Sequence, residues 1–277
     1  MKQKTNYHTH TPLCRHALGS DIKEYAQAAY DAKLDVLGFS DHAPFQDHDL
    51  GYRMDYAELS LYFEQVDALK SQYKGLMQIK KGLEIEYLPY YAKAAYPNHR
   101  NYYEYLLQDQ KCDYLILGEH FFPVPDGTFL NLYHVDSTDA FVMYAQACVE
   151  AMSTGYFYII AHPDLFGVKD FPWDKNCDIA SDLILEGAAK YHVVVEYNAN
   201  GYRRGIQDFQ DGARLMYPLD KFWKKVIGSN IPVIIGSDNH APEQIWDSAM
   251  EKAHNYLSNI DITLIETIED NRYNKNK

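Results

Sequence analysis

Residues 231–240 read Ile-Pro-Val-Ile-Ile-Gly-Ser-Asp-Asn-His, a short apolar run that ends in polar side chains. A run of this length that is apolar throughout is typical of a strand buried on both faces, as in a parallel sheet covered by helices. The same pattern recurs along the chain, with polar residues near the end of most runs. The earlier runs end at Tyr7-His8 or cover residues 35–40, 76–86, 113–118, 156–161 and 192–197.

Longer amphipathic segments lie between these runs and are predicted to be helices. The first follows Ser20 and carries apolar residues at helical spacing, namely Ile22, Tyr25, Ala26 and Ala29. The others cover roughly residues 56–73, 98–109, 137–153, 178–190, 218–229 and 243–257. Seven strand–helix units with no break in composition predict one α/β domain over residues 1–277. The polar residues that follow the strands favour a closed or nearly closed barrel. The alternative is an open doubly wound sheet, although its G-x-G-x-x-G signature and a P-loop are absent.

The composition excludes several classes of protein. A chain of 277 residues with 47% hydrophobic and 23% charged residues is globular rather than disordered or fibrous. With 26 Lys and Arg against 39 Asp and Glu, the formal net charge of −13 disfavours nucleic acids and anionic membranes as partners. A small phosphate-bearing substrate remains compatible with this charge if metal ions or a few arginines reverse the local field. The oligomeric state cannot be read from the sequence.

The sequence also indicates a compartment. It has no apolar stretch long enough for a signal peptide or a membrane span. The four cysteines are far apart and form no Cys-x-x-Cys pair, which argues against a disulfide framework or a thiolate zinc site. We therefore expect a cytoplasmic enzyme.

The polar residues after the strands carry the chemistry. Carboxyl ends of parallel barrel strands converge on one face, where catalytic groups lie. Imidazoles and carboxylates together are ligands for zinc, iron or manganese. Nine good ligands are too many for one tetrahedral ion and predict two or three metals. The candidates are His8, His10, His16, His42, Glu84, His120, His162, Asp238 and His240.

Spacing supports this prediction at two places. In His8-Thr-His10, side chains two apart on an extended segment point the same way, so both can bind one ion. The two oxygens of Glu84 can bridge two cations. Five other histidines are interpreted as ordinary polar residues: His48, His99, His134, His192 and His254.

The neighbouring acidic residues have a structural interpretation as well as a functional one. Asp41, Glu86, Glu119 and Asp164 each stand beside or near a candidate imidazole. Carboxylates in such positions often orient metal-binding histidines. We prefer that role for Glu86 and Asp164 and leave both roles open for Asp41 and Glu119.

Three arginines are candidates for binding an anion. Arg203 and Arg204 lie between Gly201 and Gly205 in a loop after the sixth run. A guanidinium matches a phosphate group bidentately, although two solvated arginines are an equal alternative. Arg53, in a loop that can reach over the same face, is a lesser candidate.

The motifs resemble those of the polymerase-and-histidinol-phosphatase (PHP) superfamily. The resemblance covers the chain from Tyr7 to about Pro242 and rests on residues 8–16, 39–42, 82–84, 118–120, 161–163 and 236–240. Within the superfamily, Cys14-Arg15-His16, residues 41–44 and residues 198–204 look most like the monofunctional histidinol-phosphatases.

The resemblance implies a distorted (β/α)7 TIM-like barrel with three divalent metal ions, which are Zn, Mn or Fe. It assigns His8, His10, Glu84 and Asp238 to the first ion, Glu84, His120 and His162 to the second, and His16, His42 and His240 to the third. The implied reaction is hydrolysis of L-histidinol phosphate, as a step of histidine biosynthesis, by a hydroxide that bridges the first two ions.

Further roles follow from this reaction as hypotheses. Arg203 and Arg204 would neutralise the phosphoryl oxygens, and Asp41 or a metal-bound water would protonate the leaving group. Glu119 would pair with the ammonium or imidazole of the substrate.

Two other readings stay open at this point. One is a related phosphoesterase that acts on phosphotyrosine, a nucleotide 3′-phosphate or a nucleic acid end. The other is a metal reservoir or sensor without catalysis, which would need no anion-binding loop.

Overall fold

A computed structural model describes residues 3–93 and 100–268. Its strands are β1 (Thr5–Asn6), β2 (Val36–Phe39), β3 (Gln78–Ile85), β4 (Tyr114–Leu117), β5 (Phe121–Pro123), β6 (Phe129–Asn131), β7 (Ile159–Ile160), β8 (Val194–Asn198), β9 (Ile206–Phe209), β10 (Gly212–Leu215), β11 (Pro232–Gly236) and β12 (Thr263–Leu264). Its α-helices are α1 (Ile22–Asp31), α2 (Leu59–Gln72), α3 (Tyr102–Gln108), α4 (Asp139–Ser153), α5 (Lys175–Tyr191), α6 (Asn200–Arg204), α7 (Asp220–Val226) and α8 (Ser248–Leu257).

Eight of these strands form one parallel sheet in the order β1-β2-β3-β4-β7-β8-β11-β12. The sheet curls until the chain beyond β1 meets the chain beyond β11, where Thr9 and Asn239 form a parallel bridge and the His10 amide donates to the Asn239 carbonyl at 3.1 Å. The prediction of a distorted α/β barrel is therefore confirmed. The seven predicted strands are all present, and β12 is an eighth that the sequence pattern does not reveal.

Strands that are mostly apolar lie in the core, as their composition predicts. All residues of β2, β4 and β8 are buried. Tyr114 of β4 fills the interior, and its hydroxyl donates to the carbonyls of Tyr7 and Phe39 at 2.6 and 3.1 Å. These bonds satisfy a buried phenol and connect β4 across the barrel interior to the ends of β1 and β2.

Helices cover the sheet with their apolar faces. The helix predicted after Ser20 begins at Ile22, because the Asp21 side chain caps the Lys23 amide. The segment predicted over 243–257 divides at Asp247, whose carboxylate accepts from the amides of Ala249 and Met250 and starts α8. Part of the segment predicted over 98–109 lies outside the described residues, as does the whole of His99.

Two antiparallel hairpins, β5–β6 and β9–β10, were not predicted. Both follow the carboxyl ends of barrel strands, so they bring loop residues toward that face. Among the described residues, no helix has the length and the apolar character that crossing a bilayer requires.

Candidate metal centre

The structure brings all nine predicted ligands to the carboxyl end of the barrel. His8 and His10 follow β1, His42 follows β2, and Glu84 is the penultimate residue of β3. The others stand after β4, β7 and β11 or, for His16, after the short helical turn Pro12–Cys14: His120, His162, Asp238, His240 and His16.

Four of these residues form a first group. Glu84 Oε2 lies 3.3 Å from His8 Nε2 and 3.5 Å from His10 Nε2. Asp238 Oδ1 lies 3.2 Å from the same His10 nitrogen. The donors are therefore close enough to share one cation, with the side chains converging from three strand ends.

A second group forms on the other oxygen of the same carboxylate. Glu84 Oε1 lies 2.9 Å from His162 Nε2 and 3.6 Å from His120 Nε2. Because the two oxygens of Glu84 face different imidazoles, this side chain has the geometry of a bridging ligand.

The third group is less regular. The His240 ring lies 4.4 Å from that of His16 and 6.3 Å from that of His42, measured between centroids. The potential ligand atoms of His10, His42 and His240 all lie within 4.8 Å of one another, and the same is true of those of Cys14, His16 and His240. Cys14 was not predicted as a neighbour of this site.

Glycines make room for the carboxylates. A Cβ atom at Gly118 would lie 2.2 Å from Glu84 Oε1, and one at Gly236 would lie 1.7 Å from Glu196 Oε1. No side chain can occupy these positions while the carboxylates keep their places.

Three further carboxylates hold the outer nitrogens of the imidazoles. Glu196 Oε1 lies 2.7 Å from His8 Nδ1, and Glu86 Oε1 lies 3.2 Å from His120 Nδ1. Asp41 Oδ1 lies 3.4 Å from His10 Nδ1. Each contact leaves Nε2 directed into the cluster, which is how histidine ligands are usually oriented.

The donor set fits divalent metal ions. Three buried atoms of the cluster have no hydrogen-bond partner among the described residues: Glu84 Oε2, His162 Nδ1 and His240 Nε2. Orphaned buried donors and acceptors are costly, whereas coordination would satisfy such nitrogen and oxygen atoms. Imidazole with carboxylate is a ligand set that suits zinc, manganese and iron.

Carboxylates also set the protonation of the metal-free cluster. Burial disfavours a charge on His8. The nearby carboxylates, of which Glu196 has the largest effect, outweigh burial and raise the pKa of His8 well above its usual value. In the same way, carboxylate hydrogen bonds outweigh burial and raise the pKa of His10 to about 9. Burial and the nearby charge of His10 lower the pKa of His42 to about 4 and that of His240 to about 2.

The three candidate arginines have different surroundings. Arg204 lines the cavity above the cluster, with its guanidinium 5.9 Å from the centre of the Tyr217 ring. Arg203 turns away and donates to Asp247 at 2.8 Å and to the Ser237 hydroxyl at 2.9 Å. Arg53 lines the cavity but is paired with Glu86. Only Arg204 has a guanidinium that faces the cavity without a carboxylate partner among the described residues.

Two acidic residues are not placed as the hypotheses expected. Glu119 is buried outside the cavity lining, and its Oε2 accepts from the Tyr87 amide at 2.8 Å. Burial raises its pKa well above the usual value, and its place outside the cavity lining keeps it from reaching an ammonium group of a bound substrate. Asp164 contacts no imidazole nitrogen of the described residues. It accepts from the Leu219 amide and from Trp223 Nε1 at 3.1 Å.

Asp41 contacts a candidate ligand and backbone donors. Its oxygens accept from the Thr11 amide at 3.2 Å, from the Thr11 hydroxyl and from the His42 amide at 2.9 Å. Because it is fully buried among these donors and is absent from the cavity lining, its geometry supports a role in holding His10.

The cavity has a volume of about 490 Å³ and opens directly over the cluster. Several of its lining residues were not predicted: Tyr52, Asn131, Tyr133, His134, Asn200 and Tyr217. His134 was set aside as an ordinary polar residue, and the tyrosines gave no local signal because the chain contains 25 of them.

Residues 6–200 match the PHP domain. The chain belongs to this family. The match includes the described ligands from His8 to His162 and the whole of β2, β3, β4, β7 and β8.

Individual PHP relatives extend the comparison to most of the chain. A probable histidinol-phosphatase of Deinococcus radiodurans is 29% identical over 245 residues, which are 86% of both chains. The histidinol-phosphatase of Bacillus subtilis is 26% identical over 264 residues, covering 86% of this chain and 94% of the relative.

Solved PHP structures share the fold. A histidinol phosphate phosphatase from Lactococcus lactis, solved with zinc, L-histidinol and phosphate, superposes with a TM-score of 0.67 at 16% identity over 97% of this chain and 100% of that one. A putative histidinol phosphatase from Listeria monocytogenes gives a TM-score of 0.62 at 20% identity over 88% and 98% of the two chains.

Glu196, which contacts His8 Nδ1, was not among the predicted site residues. It stands in β8. Its position near the end of an apolar run, like that of Glu84, was the available signal.

Proposed function

We propose that this chain is a metal-dependent histidinol-phosphatase, a phosphoric monoester hydrolase that converts L-histidinol phosphate to L-histidinol and phosphate. The observation that carries the proposal is the placement of Glu84, whose two oxygens face separate groups of buried imidazoles beneath one open cavity. The names of the Deinococcus and Bacillus relatives support the choice of substrate.

The proposed ligand sets share Glu84. His8, His10, Glu84 and Asp238 would hold one ion, Glu84, His120 and His162 a second, and His16, His42 and His240 a third. Bound divalent ions in such a site supply Lewis acidity and a nucleophilic water at neutral pH.

The chain itself would hold the phosphate and the imidazoles. Arg204 is the guanidinium that faces the cavity, and charge-assisted hydrogen bonds from it would bind phosphoryl oxygens. Glu196, Asp41 and Glu86 hold the outer nitrogens of three imidazoles and so keep their inner nitrogens in place. Arg203 braces Ser237, the residue before Asp238, and so has a positioning role in this proposal.

Phosphate release from a panel of monoesters tests the function. The purified protein, supplied in turn with Zn²⁺, Mn²⁺ and Fe²⁺, is assayed with L-histidinol phosphate, phosphotyrosine, a nucleoside 3′-phosphate and a short oligonucleotide. We expect the highest kcat/KM for L-histidinol phosphate, with metal content measured on the same samples. A higher kcat/KM for any other ester would overturn the proposed substrate, and metal binding without hydrolysis of any ester would favour a reservoir or sensor.

The cellular role follows from the same proposal. We propose a place in histidine biosynthesis, in the cytoplasm, with residues 1–277 acting as one domain. The four cysteines support this compartment because all are buried and unpaired. Expression in a bacterium that lacks its own histidinol-phosphatase should restore growth without histidine, and expression of the Glu84→Gln variant should not.

A further inference from the structure

We propose that Tyr52 is a specificity-determining residue whose ring stacks on the flat heteroaromatic ring of the substrate alcohol. This inference rests on the proposed function and concerns the end of the substrate away from the phosphate.

Tyr52 is an aromatic side chain held out at the mouth of the cavity. It is 75% exposed, the largest value among the exposed large hydrophobic residues in the described part of the chain. Its ring meets that of His16 edge-on, with centroids 5.3 Å apart and planes at 74°. One face of the ring is thus left for another flat group, since an edge contact covers little of its surface.

The backbone fixes this position. Tyr52 has a φ of +43°, a left-handed conformation that is costly for a bulky side chain. The next residue, Arg53, is buried and donates to the Ala43 carbonyl at 2.8 Å and to the Gly51 carbonyl at 3.1 Å. The loop therefore holds Tyr52 in place through its neighbour, while the tyrosine ring itself packs against little.

A second tyrosine at the cavity belongs to the phosphate side. Tyr133 is nearly parallel to His120, at 8° with centroids 6.5 Å apart, and Arg204 is near enough to influence its pKa. The His16, His42 and His120 rings form a row with steps of 5.4 and 5.3 Å between centroids. Tyr52 and Tyr133 flank the two ends of that row, so Tyr52 is the tyrosine farther along it from Arg204.

The substrate has the chemistry that such a position recognises. Only a short aliphatic chain separates phosphorus from the imidazole of L-histidinol phosphate, so the ring must lie at the rim of the same cavity. Imidazole stacks on phenol, and its protonated form and the adjacent ammonium group are also attracted to an aromatic face.

The test compares two substrates that differ in the ring. Phosphoethanolamine keeps the phosphate and the ammonium group of L-histidinol phosphate and lacks the imidazole. For Tyr52→Ala we expect kcat/KM for L-histidinol phosphate to fall about fivefold to tenfold, the size of an aromatic pair interaction. The value for phosphoethanolamine should stay within about twofold, as should both values for Tyr52→Phe, which keeps the ring.

Product inhibition gives a second readout. The inhibition constant of L-histidinol should rise in Tyr52→Ala by a factor similar to the loss in kcat/KM, and that of inorganic phosphate should not change. Tyr90→Ala is the matched control, because Tyr90 is 56% exposed and lines a separate cavity with Pro89 and Pro123. It should leave all four values unchanged.

The outcomes separate the two proposals. An enzyme active on L-histidinol phosphate in which Tyr52→Ala lowers neither value, or lowers both equally, would overturn the stacking role and leave the proposed function intact. A wild-type protein that does not hydrolyse L-histidinol phosphate would overturn both.

Discussion

Arg53 and Glu86 form a bidentate ion pair beside the metal centre, with both nitrogen–oxygen distances at 3.0 Å. The same Glu86 carboxylate lies 3.2 Å from His120 Nδ1, so the pair connects the loop that carries Tyr52 to an imidazole of the cluster. Burial would raise the pKa of Glu86, but Arg53 and His120 lower it to about 2, so it stays ionised.

Removal of the guanidinium should therefore destabilise the fold. Arg53→Met leaves a buried carboxylate without its partner, and such losses cost about 3–5 kcal/mol in the free energy of unfolding. Urea denaturation measures the difference. The matched control is Arg15→Met, which removes an exposed ion pair with Asp55 and Glu58 and should cost under about 1 kcal/mol. Equal losses in the two variants would contradict the assignment.

Glu84→Gln should remove metal and turnover together. An amide has only one oxygen able to act as a ligand, so it cannot bridge two cations as a carboxylate does. Loss of a carboxylate that merely orients a ligand already costs about tenfold to a hundredfold, and we expect a drop in activity of at least a hundredfold here. Elemental analysis and phosphate release on the same sample give the measurement, with the exposed Glu186→Gln as control. Full metal content in Glu84→Gln would refute the bridging role.

Substitution of the two adjacent arginines should have different effects, on KM for Arg204 and on stability for Arg203. Arg204→Ala should raise KM about tenfold or more with metal content unchanged, because hydrogen bonds from a charged group to phosphate are lost. Arg203→Ala should instead lower the free energy of unfolding by roughly 1–3 kcal/mol, since the partly buried carboxylate of Asp247 loses its guanidinium partner. Thermal denaturation and steady-state kinetics on both variants decide the matter, and a KM effect confined to Arg203→Ala would reverse the assignment.

Metal affinity should increase with pH. His10 has its pKa raised to about 9, so in the metal-free protein it carries a proton that a cation must displace. Affinity should rise as pH increases through about 9, with protons released on binding. The stability that this charged imidazole gives the metal-free protein is fully present below its unfolded pKa of about 6.5 and is lost as pH rises through about 9. Zinc titration with a pH-indicator dye measures the release, and an affinity independent of pH would contradict the prediction.

The parts of the fold that local sequence determines could be predicted. Apolar runs and helical spacing located the seven strands, since burial on both faces leaves a direct trace in composition. The candidate ligands other than His16 could be picked out because each stands at or just beyond a strand end. The hairpins β5–β6 and β9–β10 left no such trace, because their strands are short and only partly buried.

The roles of neighbouring side chains could not be predicted. Arg203 and Arg204 are adjacent in one short helix, where successive residues point about 100° apart, so one faces Asp247 and the other the cavity. Glu119 similarly adjoins a ligand but turns into the core. Such directions depend on partners distant in the chain, which no local pattern records.

Two glycine positions should be as intolerant of substitution as the candidate metal ligands. Gly118 and Gly236 leave the space that Glu84 and Glu196 occupy, and a single methyl group at either would collide with a carboxylate. A mutational survey restricted to polar residues would overlook them, as would any redesign that treats glycine as filler. The absence of a side chain at these two glycines is therefore a requirement for placing the carboxylates that would hold cations in this barrel.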